Sequence, residues 1–306
     1  MDYELAIIGA GPAGYSAGIY AGRSGINTIL FDKTGGGGLA MISPNIENYA
    51  GFESISGTEL MEKMKQHASN YVDMNFYEEV KTLKKNKKEF SIETDKKTYS
   101  VGAVLLCTGT EHRKLNVSGE QEFQGKGVSY CATCDGFFFK DKNVAVIGGG
   151  NSALIESVFL KQIGCKTVYL IHRRDQLRAE KAYEDDAQQK KVKMILNTVV
   201  ERIGGEQKVQ YLDLRDTVTG TTSKLSVDGV FISIGELPQN GLAQQLDVAL
   251  DDHGYIVTDK QQRTNIAGVY AAGDITGGLR QVITACAEGA VAALISTEAL
   301  GKKYPY

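Results

Sequence analysis

The chain has 306 residues, 35 of them Gly and only 4 Pro, with 42% hydrophobic and 23% charged residues and a net charge of −3. This composition excludes fibrous, low-complexity and disordered classes, and glycine in excess without proline belongs at tight turns and close backbone approaches. Lysine and arginine alternate with acids rather than forming blocks, which excludes a polybasic face for nucleic acid or membrane, and no apolar run is expected to reach the roughly 18 residues of a membrane span.

The length allows two domains. The start, Met1-Asp2-Tyr3-Glu4, lacks the basic segment and cleavage pattern of a secretory signal, so a cytoplasmic location is expected. Five cysteines, Cys107, Cys131, Cys134, Cys165 and Cys286, are too sparse for a secreted disulfide framework.

The first predicted element is an apolar strand from Glu4 to Ile8. It feeds the glycine turn Gly9-x-Gly11-x-x-Gly14 and a helix that begins near Pro12 and Ala13. In a dinucleotide turn the first Gly permits the bend, the second lets a diphosphate approach the backbone, and the third lets helix and strand pack closely. The confirming acid is Asp32, at the end of a second apolar strand from Thr28, and it is expected to accept from ribose hydroxyls. The Lys-rich stretch from Lys81 to Lys97, with Lys84, Lys85, Lys87 and Lys88, reads as a solvated hairpin. A strand from Val104 then ends at Cys107, Thr108 and the Gly109 turn.

The fingerprint returns in mid-chain as a strand from Asn143 to Ile147 followed by Gly148, Gly150 and Ala153, so a second nucleotide fold begins there. Its second strand, from Thr167 to Ile171, ends not in an acid but in His172, Arg173 and Arg174, with Arg178 a helical turn on. A basic cluster at that point accommodates the 2′-phosphate of NADP. The strand from Val230 through Ile234 to Gly235 mirrors the one ending at Gly109. A last strand from Gly268 ends in Gly273 and Asp274, which suit a flavin ribityl or diphosphate contact, ahead of a long helix from about Arg280 to Leu300. The order of these units places a second domain at 113–240, inserted into a first domain made of 1–112 and 241–306, with hinges at 111–115 and 238–242.

Within the inserted domain lie Cys131 and Cys134, followed at once by Asp135. A zinc site would need two more soft ligands, but the other cysteines are isolated and His67, His112, His172 and His253 show no metal spacing, so no metal is expected. A redox dithiol fits better, because a carboxyl beside the thiols can exchange protons with them; Asp135 as a turn residue or helix cap is the structural alternative. Cys107, Cys165 and Cys286 read as small buried hydrophobes.

Taken together, Gly9 to Gly14, Cys131 to Asp135, Gly148 to Ala153, His172-Arg173-Arg174 with Arg178, and Gly273-Asp274 closely resemble, in order and spacing, the low-molecular-weight thioredoxin reductases among the class II pyridine nucleotide-disulfide oxidoreductases. The resemblance covers essentially the whole chain. It implies an α/β homodimer of two Rossmann-like, three-layer nucleotide-binding domains, FAD on the discontinuous domain and NADPH on the inserted one. It also implies a Cys131–Cys134 disulfide in which Cys134 is the sulfur nearer the flavin, Cys131 attacks the disulfide of thioredoxin or a thioredoxin-like protein, and Asp135 is the acid/base. Toward FAD it points to Gly9, Gly11, Pro12, Ala13, Gly14, Asp32, Lys33, Gly38, Leu39, Asn48, Thr108, Gly109, Gly273, Asp274, Arg280, Gln281 and Val282. Toward NADPH it points to Gly148, Gly150, Asn151, Ser152, Ala153, His172, Arg173, Arg174, Arg178, Ile234 and Gly235.

Three positions depart from the family pattern. Leu39, after the run Gly35 to Gly38, replaces an amide; Ile155 replaces the first of two glutamates ahead of Glu156; and Glu236 stands where a histidine is common. These leave open a relative served by a donor other than NADPH, such as a ferredoxin or deazaflavin system, and a non-catalytic redox sensor is the alternative of a different class. With Met1 eight residues ahead of Gly9, the N-terminal dithiol module of the flavoproteins that feed peroxidases is not expected.

Overall fold

A computed structural model describes residues 1–43, 45–87 and 89–302, and the chain divides into two compact units, Met1–Glu111 with Leu237–Tyr306, and His112–Glu236. The crossings fall at 111/112 and 236/237 rather than at 112/113 and 240/241. Backbone bonding decides this: Gln239 N–H donates to Gly109 O, and Thr108 Oγ1 donates to Gln239 O at 2.8 Å, which ties 237–240 to the first unit.

The first unit is built on a seven-stranded sheet. Asp73–Phe76, Thr28–Asp32, Tyr3–Ile8, Thr98–Leu106 and Val269–Ala271 run parallel, and Glu89–Thr94 and Val80–Asn86 extend it as an antiparallel hairpin. This hairpin is the Lys-rich stretch of the sequence; Lys88 lies outside the described residues. The central parallel strands carry unbroken apolar runs, Leu5–Ile8, Ile29–Phe31 and Ala103–Leu106, because both their faces are covered, whereas the edge strand Asp73–Phe76 is polar and partly exposed. Leu5 and Ile7 join a cluster with Ala13, Ala17, Leu60, Met61 and Ala292, from the helices Pro12–Arg23, Gly57–Ala68 and Val282–Ala299. Ala6 and Ile8 face the other way, into a cluster with Leu83, Phe90, Ile92, Leu246 and Ile256. The period-two alternation of a strand thus feeds two cores from one segment.

The second unit repeats the plan with Lys193–Ile195, Thr167–Ile171, Asn143–Gly148, Gly229–Ser233 and Val128–Ser129 as a five-stranded parallel sheet. Val144 and Val146 pack on the helices Asn151–Gln162 and Lys181–Gln189 through Leu154, Val158, Leu160 and Ala187. Ala145 and Ile147 pack on the antiparallel sheet Thr198–Gly205, Val209–Asp216 and Thr222–Ser226 through Val200, Ile203, Leu212 and Leu214. Helices on one face and strands on the other make the three layers.

The helix Val282–Ala299 corrects one expectation, since its 18 residues have a mean hydropathy of 1.4 and are long and apolar enough to cross a membrane. Here it packs one face on the first unit, with a third of its residues buried and Ile283 and Val291 exposed. Ala285, Gly289, Ala292, Ala293 and Ser296 are buried, and a Cβ on Gly289 would lie 2.1 Å from Ala13 O, so small residues bring it close to Pro12–Arg23.

Candidate active site

In the first unit, strand Tyr3–Ile8 passes into helix Pro12–Arg23 through Gly9, Ala10 and Gly11. A Cβ at Gly9 would lie 2.2 Å from Cys107 O and one at Gly14 1.9 Å from Gly9 O, so both positions require glycine. Gly11 is different, because nothing lies within 4 Å of its Cβ position. It is the N-cap residue of a helix with no side-chain cap and no acid in its first turn. The N–H groups of such a helix end suit a diphosphate, and the space above Gly11 is open. Asp32 braces the turn: Ala10 N–H donates to Oδ2 at 2.8 Å, and Thr34 donates to Oδ1 from both N–H and Oγ1 at 2.7 Å.

The run Gly35 to Gly38, unexplained by the family pattern, has a geometric reason. Gly36, Gly37 and Gly38 take φ of +85°, +95° and +58°, a left-handed path that side chains resist. Gly37 N–H donates to Ala10 O at 2.6 Å, and a Cβ on Gly38 would lie 3.6 Å from Gly11 Cα. The loop is laid on the first turn, and Leu39 follows it in the short 3-10 helix Gly38–Ile42.

The far end of the chain reaches the same turn. Gly273, with φ +82°, would place a Cβ 3.0 Å from that of Ala13, and its N–H donates to Glu288 Oε2 at 2.7 Å. Burial pushes the Glu288 carboxyl up. Asp274 begins the turn Asp274–Thr276. Asn48 Nδ2 donates to Gln281 Oε1 at 2.9 Å, and Gln281 caps Val282–Ala299 reciprocally with Thr284. Arg280 donates to Tyr255 Oη at 2.9 Å, and Lys33 pairs with Glu111 at 3.3 Å on the surface. Gly9, Gly11, Ala13, Asp32, Gly38 and Gly273 therefore converge, while Lys33, Thr108 and Arg280 are engaged with Glu111, Gln239 and Tyr255.

The second unit has the same design. A Cβ on Gly148 would lie 2.3 Å from Ser233 O and 2.6 Å from the Cβ of Ala153, which stands in place of the third glycine. Gly150 is an N-cap with no side-chain cap and nothing within 4 Å of its Cβ position, above helix Asn151–Gln162. Asn151 is locked to Glu180 by two hydrogen bonds of 2.9 Å, Nδ2 donating to Oε1 and the Glu180 N–H to Oδ1. Ser152 and Ile155 are exposed.

The basic cluster divides. Arg173, Arg174 and Arg178 are exposed, and the Arg178 N–H donates to Gly149 O at 2.7 Å. His172 is buried under the turn, where a Cβ on Gly149 would meet its Nδ1 at 2.2 Å, and burial holds its pKa below the usual imidazole range. His172 therefore supports the turn instead of adding charge to the arginines. Gly235, φ +102°, accepts from Arg113 N–H, next to Ile234 and just past strand Gly229–Ser233.

Cys131 and Cys134 are joined by a disulfide, with a Cα–Cα distance of 5.3 Å, across the one-turn helix Ala132–Asp135. Asp135 ends that helix and accepts from Ser129 Oγ at 2.6 Å through Oδ2; its Oδ1 is buried without a partner. Burial raises its pKa and the Ser129 hydroxyl lowers it. A half-buried carboxyl of raised pKa beside a disulfide is equipped to hold and release a proton. On the other side of the pair, Tyr130 stacks on His112 at 4.7 Å between centroids and donates to Glu120 Oε1 at 2.8 Å. Glu236 Oε1 lies 3.6 Å from His112 Nδ1, and its other oxygen is shut off from solvent.

Sequence reasoning missed Ser129, Glu180 and Glu288, each a partner of a residue it did find; only the position of Ser129 two residues before Cys131 was a local signal. Cys107 and Cys165 are buried with pKa values pushed up by burial, Cys165 to about 11. Cys286, the fifth residue of Val282–Ala299, is only partly buried, unlike the expected buried hydrophobe, and its thiol donates to Pro12 O at 3.7 Å.

The sequence profile of the pyridine nucleotide-disulphide oxidoreductases matches residues 3–289, and the chain belongs to that family. The chain is 45% identical to the thioredoxin reductase of Treponema pallidum over 295 residues, 95% of each chain, and 41% identical to that of Bacillus subtilis over 95% of this chain and 92% of the relative. Among solved structures it is similar to the thioredoxin reductase of Streptococcus pyogenes, with a TM-score of 0.93, 38% identity and 98% of each chain covered. It is also similar to that of Giardia duodenalis, with a TM-score of 0.91, 32% identity and coverage of 98% and 99%.

Proposed function

We propose that the chain is a thioredoxin-disulfide reductase, a cytoplasmic homodimer that carries FAD on its first unit and NADPH on its second. The observation that carries the reading is the Cys131–Cys134 disulfide beside Asp135, held in the same compact unit as an open, uncapped nucleotide turn. The cradle over Gly11, with Asp32 behind it, fits the diphosphate and ribose of FAD. The cradle over Gly150, with Arg173, Arg174 and Arg178 exposed beside it, fits the diphosphate and 2′-phosphate of NADPH. A bound flavin supplies a two-electron relay between nicotinamide and disulfide. Cys134 is the sulfur on the flavin side, Cys131 attacks the thioredoxin disulfide, and Asp135 gives and recovers the proton that the thiols exchange. Glu236, tied to His112 with one oxygen closed to solvent, is turned to its own neighbours and does not oppose the phosphate.

The test is anaerobic addition of NADPH to the flavin-loaded protein, followed by thioredoxin. Flavin bleaching, appearance of two thiols and turnover of thioredoxin are expected. Bleaching by neither NADPH nor NADH overturns the donor assignment, and bleaching without thioredoxin turnover overturns the substrate.

A further inference from the structure

Ser129 has no part in the reading so far, yet its hydroxyl meets three groups of the redox segment. It lies 2.6 Å from Asp135 Oδ2, accepts from Cys131 N–H at 3.0 Å, and is 3.3 Å from Cys131 O. Ser129 is buried on strand Val128–Ser129, which pairs with Gly229–Ser233, so the hydroxyl is anchored to the sheet rather than to a loop. A hydroxyl has one hydrogen and two lone pairs. With Asp135 ionised, the hydrogen goes to Oδ2 and one lone pair takes the Cys131 N–H. With Asp135 protonated on Oδ2, the carboxyl O–H donates to the second lone pair, and the Ser129 hydrogen turns to Cys131 O. Every polar atom of Ser129 stays paired in both states, and Oδ2 is never left alone in a site where Oδ1 already lacks a partner.

We propose that Ser129 is a positioning residue for the cysteine pair, a reversing hydrogen-bond partner that serves Asp135 in both protonation states while it fixes the backbone of Cys131. The inference rests on the reading of Asp135 as the proton carrier. When two electrons from the reduced nicotinamide reach the disulfide, the S–S bond breaks to two thiolates. Asp135 gives its proton to one of them and is left as a carboxylate, and Ser129 turns its hydrogen from Cys131 O to Oδ2. When the dithiol passes its electrons to a protein disulfide, the proton and the hydroxyl return. The other titratable groups on the elements around Asp135 are Glu156 and Lys161 on helix Asn151–Gln162, Tyr130 and the two cysteines; the turn Gly136–Phe139 carries none. Burial and Ser129 are the two dominant influences on the carboxyl.

The experiment uses the full, flavin-loaded chain. Infrared difference titration, with Asp135→Asn identifying the carboxyl band, follows Asp135 in wild type, Ser129→Ala and Ser129→Thr. Ser129→Ala is expected to raise the Asp135 midpoint by about half a unit, roughly threefold in proton affinity, because the charge-assisted bond lost by the carboxylate is about twice as strong as the one lost by the neutral carboxyl. The pH limb of thioredoxin turnover is expected to move with it while KM for thioredoxin stays put, and Ser129→Thr restores both. An unmoved midpoint in Ser129→Ala, or a uniform loss of kcat at every pH, overturns the inference. Should the alanine variant not fold, Ser129→Gly removes the same hydroxyl without adding a thiol beside the pair and must shift the midpoint in the same direction. Full turnover in Asp135→Asn would instead count against the role of Asp135, and the infrared midpoint still reads the Ser129–Asp135 bond by itself.

Discussion

Gly149 and Gly150 are neighbours in sequence and opposites in packing. A Cβ on Gly149 would meet His172 at 2.2 Å, whereas a Cβ on Gly150 would meet nothing within 4 Å. Gly149→Ala is therefore expected to destabilise the fold by about 1–3 kcal/mol, the usual cost of overpacking, as urea unfolding would measure. Gly150→Ala is expected to cost less, about 0.5–1 kcal/mol because Ala is a poorer N-cap than Gly, and yet to weaken NADPH binding more, because its methyl group takes the space a diphosphate would fill. Equal losses of stability in the two variants would contradict this account. His172 adds a pH dependence. Its folded pKa lies below the ordinary 6.5, so the unfolded chain takes up a proton first; the stabilisation is present above about pH 6.5 and is lost as the pH falls through the lower folded value. The melting temperature of the wild type should fall more steeply below pH 6.5 than that of His172→Gln. Sequence placed His172 in the cluster because it adjoins Arg173. Its direction could not be read, because consecutive residues past a strand end point to different sides.

The helix Val282–Ala299 shows how an element acquires its role from its partner. Its composition alone would suit a bilayer, but Gly289 over Ala13 O lets it pack closely on Pro12–Arg23. The same helix carries Glu288, which holds the Gly273 N–H, and starts from Gln281, which holds Asn48. Gly289→Val is expected to push the two helices apart and lower flavin content in the purified protein, with a stability loss of about 1–3 kcal/mol; full flavin content by absorbance would refute the link. Glycines of the two fingerprints were legible by their fixed spacing, although the atoms that exclude a side chain at Gly9 and Gly148, Cys107 O and Ser233 O, come from strands far along the chain. The pairs Gly273–Glu288 and Asn48–Gln281 were not, since 15 and 233 residues separate the partners and no local pattern marks either. The run Gly35 to Gly38 was visible as a run, but its reason lies in Ala10 and Gly11, more than twenty residues away.

The molecule as a whole is two units that repeat one plan, an uncapped helix over a glycine turn at the end of a parallel strand. Because each cradle is built within its own unit, changes to one should leave the other intact. Arg173→Ala with Arg174→Ala is expected to reduce kcat/KM for NADPH roughly ten- to hundredfold per lost charged contact, with a smaller effect on NADH and unchanged flavin content. Loss of flavin in that variant would show that the sites are not separable. The two fingerprints, the acid after one and the arginines after the other, and the cysteine pair could all be read from sequence, because each is a short string of fixed spacing. Tertiary structure decided where the chain crosses between units, through Gln239 bonding back to Gly109; that the apolar C-terminal helix packs one face against Pro12–Arg23; that His172 is a buried prop; and that Asp135 has Ser129 as its partner. Those outcomes depend on which groups burial brings within hydrogen-bond distance, and that is a property of the packed layers rather than of any one stretch of chain.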